Sequence, residues 1–142
     1  MINQKILFTL SCTLLLVTQG FAQSFYTPPA GSPERKAIMD ALREPAKKDL
    51  GFTVIFRVEM LRVAGSYAFA RVIPIMPNGK EIDYTHTKYK EALDEGAFDA
   101  EAEALLKRDG DKWKVAEWRF GATDTEIDLW IERYNLPKTI NR

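Results

Sequence analysis

Cysteine and histidine are nearly missing from this chain: Cys12 and His86 are the only examples of each. A structural zinc site draws about four ligands from these two residue types, so none is expected. Disulfides are excluded as well, and the folded part must hold together by packing. Charge of one sign is lacking too, with 20 basic residues against 20 acidic ones. Without a basic field there is nothing to wrap nucleic acid or coat an anionic membrane. Finally, the longest apolar run, Ile6 to Val17, falls short of the roughly 20 residues a membrane-crossing helix needs. No permanent membrane anchor is expected.

What is there begins with a tripartite N-terminus. Met1 to Lys5 is polar with one positive charge, Ile6 to Val17 is mostly apolar, and Gly20-Phe21-Ala22 puts small residues where signal peptidase inspects. This pattern reads as a cleavable export signal over residues 1–22, which makes the remainder periplasmic or secreted. Lipid attachment at Cys12 fits poorly, because Thr9 stands where lipoprotein signals carry leucine. Gln23 to Gly31 bears Pro and Gly without any period and reads as a tether. Residues 32–142 then suffice for one α+β domain with a single core.

The domain opens with a helix: Ser32 caps it, Pro33 suits the first turn, Ile38, Ala41 and Leu42 share a face, and Pro45 is expected to stop it. From Phe52 to Val63 the alternation of Val54, Phe56, Val58 and Met60 predicts a strand with one dry face. After the turn Ala64-Gly65-Ser66, a returning strand runs from Tyr67 to Met76, ended by Pro77-Asn78-Gly79-Lys80. Glu81 to Thr87 is short and polar, and Lys88 to Glu95 has helix formers stopped by Gly96.

A second hairpin, Ala102 to Lys107 and Lys112 to Phe120, flanks Asp109-Gly110-Asp111. In its second arm Trp113 and Val115 are out of phase with Trp118 and Phe120, which predicts a β-bulge near Ala116 or Glu117. Thr123-Asp124-Thr125-Glu126 fits a capping box with Thr123 at the cap, and Ile127, Trp130, Ile131 and Tyr134 line the helix that follows. Asn135 and Pro137 end it. The expected architecture is therefore a curved antiparallel sheet of about four strands in two hairpins, packed on an N-terminal helix, with a C-terminal helix.

This order of elements, with Gly65-Ser66-Tyr67-Ala68 and the Asp109-Gly110-x-x-Trp113-x-Val115 hairpin, resembles the NTF2-like and cystatin-like α+β folds over about residues 32–121. It also looks like small exported bacterial proteins of unassigned function. The resemblance implies a cavity between sheet and helix, and the fold alone implies no activity. Leu61-Arg62-Val63-Ala64-Gly65 is similar to the first inhibitory hairpin of cystatins, although the leading Gln and the Pro-Trp of the second hairpin are missing.

Chemistry must come from few residues. His86 is the only base of its type, and with Asp83, Tyr84 and Tyr89 it forms the pool from which an NTF2-like isomerase or dehydratase would draw a proton-transfer pair. Arg71 is the odd placement, a guanidinium on the same strand face as Tyr67, Phe69, Ile73 and Ile75. It needs a carboxylate partner, a ligand anion or open water, because burying it bare costs several kcal/mol. Trp118 and Arg119 raise a similar question, and Trp113, Trp118 and Trp130 together suggest either core or a sugar platform. The expectation is a binding domain without cofactor or metal, its candidate ligand residues being Arg71, Asp83, Tyr84, His86, Tyr89, Trp118 and Arg119. Its partner is a small ligand, a glycan or an envelope protein, and a homodimer is left open. A proton-transfer enzyme and a protease inhibitor are the alternatives.

Overall fold

A computed structural model describes residues 24–142. The expected export signal lies outside the described residues. Among these, no helix is long and apolar enough to cross a membrane.

Helix α1 spans Pro33–Leu50, with Ser32 Oγ accepting from the Arg35 amide at 3.2 Å. Pro45, expected to end this helix, sits inside it. Proline forfeits one N–H bond to the preceding turn, but Ala46 and Leu50 beyond it are buried and hold the last turn in place. Termination falls to Gly51, whose φ of 82° is left-handed and whose N–H reaches Lys47 O at 2.8 Å. Pro45→Ala is therefore expected to stabilise the fold by about 1–3 kcal/mol. The check is a higher urea midpoint at unchanged slope.

The sheet follows as β1 (Ile55–Ala64), β2 (Tyr67–Ile75), β3 (Ala102–Asp109) and β4 (Lys112–Phe120), antiparallel throughout in the order β1-β2-β3-β4. It is an open sheet and not a barrel. Two register shifts interrupt it. One lies between Val58 and Met60 and leaves Glu59 unpaired, so the dry-face reading of β1 needs correction. Met60 crosses to the opposite face, and Leu61 and Val63 rejoin the face of Phe56 and Val58. The other leaves Ala116 without a partner, since Leu105 pairs with Glu117 and Leu106 with Val115. That is the bulge predicted from the phase change, and it brings Trp113, Val115, Trp118 and Phe120 to one face.

The short polar stretch after β2 forms a 3-10 turn at Tyr84–His86, with Asp83 Oδ1 accepting from the Thr85 amide. Helix α2 is short, Lys90–Asp94. Helix α3 spans Ile127–Tyr134 and starts later than the capping box implied. The Thr125 hydroxyl, not Thr123, takes the Ile127 amide, at 3.3 Å, because Thr125 is drawn inward by a bond to Glu103.

Both faces of the sheet are covered. Under α1, the alanines Ala68, Ala70, Ala102 and Ala104 leave room for Ile38 and Leu42, and all six are fully buried. The expected cavity between sheet and N-terminal helix is thus filled by side chains. On the opposite face α3 seats Ile127, Trp130 and Ile131 against Phe69 and Leu105, joined by Leu136 and Ile140 from the tail. A third cluster closes the open end, where Tyr84, Tyr89 and Phe98 pack on Phe120 and Trp118. Residues 24–31, read from composition as a tether, lie against the domain. Tyr26 exchanges two backbone bonds with Val63 at 2.8 and 2.9 Å, and Pro28 is fully buried.

Candidate functional site

Alternation in β2 sends Tyr67, Phe69 and Arg71 to the α3 face, and α3 is too short to cover all of it. Phe69 is sealed, but Arg71 lies beyond the start of α3, where the loop 121–126 crosses. Register then decides its neighbours. Arg71 stands opposite Glu103 on β3, and Glu103 opposite Arg119 on β4, so a basic, an acidic and a basic residue line up across three strands.

The pairing inside this row is close. Glu103, 8% exposed, accepts from Arg71 Nη2 at 2.9 Å on one oxygen and from Thr125 Oγ1 at 2.7 Å on the other. Glu101 approaches Arg71 Nε at 3.0 Å. Arg119 is bonded to Glu126 through Nη1, while its buried Nε has no partner. Burial raises the Glu101 carboxyl above the usual carboxylate range, with Arg71 pulling the other way and the nearby Asp99 and Glu103 charges adding to the rise.

Around the row lies a cleft of about 170 Å³, lined on one side by Arg71, Asp99, Glu101, Glu103 and Arg119, and on the other by residues 122–125. Four carboxylates line it, Asp99, Glu101, Glu103 and Asp124, against two guanidinium groups. The surplus is negative. Among the described residues no three His, Cys, Asp or Glu side chains are grouped so as to hold a metal ion.

The remaining nominated residues divide. Tyr89, Trp118 and Arg119 come together with Asp49 in a second, shallower cleft of about 440 Å³. Arg119, at the sheet margin, borders both. Asp83 and His86 lie elsewhere, on the exposed turn, with His86 Nε2 3.8 Å from Asp83 Oδ2. Asp83 is held below the usual carboxylate range by two hydrogen bonds from Thr85, which suits a capping residue and not a proton acceptor. Tyr84 is buried beneath the aromatic cluster, its hydroxyl without a partner and its pKa pushed up by burial to about 12. The proposed pool of Asp83, Tyr84, His86 and Tyr89 does not converge on one point.

Other sequence readings meet the geometry less well. Trp113 and Trp130 are 8% and 1% exposed, so three tryptophans cannot form one platform. Val63, which an inhibitory hairpin would have to present, is fully buried and paired with Tyr26. The residues that sequence reasoning missed are Glu101, Glu103, Asp49 and Thr125. Glu101 and Glu103 alternate with Leu105, which is the signal for a shared face, but only strand register brings them to Arg71.

Set against protein-family models, curated proteins and solved structures, the chain gives no significant match, and the reading of its function rests on the geometry above.

Proposed function

We propose that this chain is a non-catalytic binding domain that works outside the cytoplasm, periplasmic or secreted, and takes a small organic cation in the cleft beside Arg71. The observation that carries the reading is the surplus of carboxylates over guanidinium groups in that cleft. Arg71 already neutralises part of Glu101 and Glu103. Asp99 and Asp124 remain to meet a positive group arriving from solvent. At about 170 Å³ the space is below the 300–1,000 Å³ common for drug-sized ligands, and an alkylammonium or guanidinium head is of the right scale.

The fold reading that accompanies it is cystatin-like, in the sense of a helix followed by an antiparallel meander, and the strand order β1-β2-β3-β4 supports it. Calorimetric titration of the purified protein with agmatine, putrescine and carboxylates of equal size provides the test. Saturable binding of the amines, weakened at least about tenfold (1.4 kcal/mol) in Asp99→Asn combined with Asp124→Asn, is the expected outcome. Amines bound no better than the carboxylates would overturn it. For compartment, the protein recovered from the periplasm or medium should have the mass of residues 23–142.

A proton-transfer enzyme has one observation in its favour, the raised carboxyl of Glu101 in a cleft. In that case Glu101→Gln would abolish turnover of an isomerase substrate panel while leaving binding intact.

A further inference from the structure

Arg119 is the cation of the cleft beside Arg71 that the fold leaves underused. A guanidinium carries several N–H donors, and here only Nη1 is bonded, to Glu126. Its Nε is shut away from solvent with no acceptor, so the protein bears the desolvation of that N–H without a bond in return. The nearby carboxylates are committed elsewhere. Glu103, directly across the ladder from Arg119, gives one oxygen to Arg71 and the other to Thr125, and Glu101 turns to Arg71 Nε. The edge formed by Nε and Nη2 is the side of a guanidinium that grips a carboxylate with two parallel bonds. Arg71 has that edge in use, with both nitrogens on acidic oxygens. Arg119 has it free among the described residues.

The acidic groups divide in the same way. Glu101 and Glu103 are engaged, whereas Asp99 spends only Oδ1, on the Glu101 amide at 3.0 Å, and Asp124 lines the facing loop. A space of about 170 Å³ therefore brings together free acceptors for a cation and a free edge for a carboxylate. A plain amine answers the first and leaves the second unbonded. A plain carboxylate meets the acidic surplus.

From this division we infer that the guest is a zwitterion, a free amino acid of a few carbons, with its ammonium group between Asp99 and Asp124 and its carboxylate on Nη2 and Nε of Arg119. The inference rests on the reading of this cleft as a cation site and narrows it, because the carboxylate of the guest adds affinity of its own.

Calorimetric titration of the purified protein compares glycine, β-alanine and 4-aminobutyrate with the compounds that lack one of the two charges: methylamine, ethylamine and propylamine, then acetate, propionate and butyrate. At least one amino acid is expected to bind about tenfold or more tightly than its own amine. It should also shift the Arg119 Nε–H signal in the NMR spectrum, which the amine leaves in place. Arg119→Gln should act with opposite signs, weakening the amino acid and tightening the amine, since a positive charge leaves an acidic cleft. Arg119→Lys retains the charge without the planar edge and should lose most of the preference for the amino acid. The amide spectrum of each variant reports whether it is folded. Amines that bind while no amino acid exceeds its amine overturn this inference and leave the cation site standing. Binding of neither class overturns both, and an amino acid bound equally well by Arg119→Gln overturns the role given to Arg119 and the inference with it.

Discussion

Trp130→Ala is expected to destabilise the domain by about 3–5 kcal/mol, the range for removing a large aromatic from a packed core. Trp130 is 1% exposed and is the largest fully buried side chain among the described residues. It joins α3 to the Phe69 and Leu105 face, together with Ile127 and Ile131. A domain of this kind has about 5–15 kcal/mol in total, so the variant should sit near the edge of unfolding. Urea denaturation reads the loss. Limited proteolysis should cut first near Gly121, because α3 would be released before the sheet. Loss of less than about 1 kcal/mol would mean that α3 contributes little to the core.

Glu103→Ala is the second large effect, expected at about 2–4 kcal/mol. Removing one partner of a buried ion pair costs up to 3–5 kcal/mol, reduced here because the Arg71 side chain is 28% exposed and keeps Glu101 at 3.0 Å. The substitution also removes the bond from the Thr125 hydroxyl to Glu103, which holds the loop before α3. Glu103→Gln keeps an acceptor for Arg71 and should lose about half as much. Because the group is buried, the cost should persist at 1 M salt, whereas exposed pairs such as Lys36 with Asp40 should contribute nothing measurable there. A loss that vanishes in salt would place the interaction on the surface.

Much of the fold could be read from local chemistry. Gly-bearing turns, the capping serine at Ser32 and the phase change around Ala116 each have a short-range cause, and the structure contains the corresponding elements. Pro45 misled because its penalty is local, whereas the burial of Ala46 and Leu50 that outweighs it depends on distant residues. Glu59 misled for a different reason: it lies between the apolar Val58 and Met60, which keep up the alternation, so no phase change shows until Leu61. Of the candidate site, Arg71 was legible as an anomaly on an apolar face. Its partners Glu101 and Glu103 were not, since 29 residues or more of intervening chain separate them and only register brings them together. Asp49 was hidden by its place at the end of a helix that the sequence was expected to have stopped already.

The unpaired residues Glu59 and Ala116 fall on β1 and β4, the two outermost strands. Each kinks a free backbone edge, and Tyr26 already occupies part of the first through Val63. Both features disfavour neighbouring molecules joining ladder to ladder into a continuous ribbon, the route by which exposed edges seed fibrils.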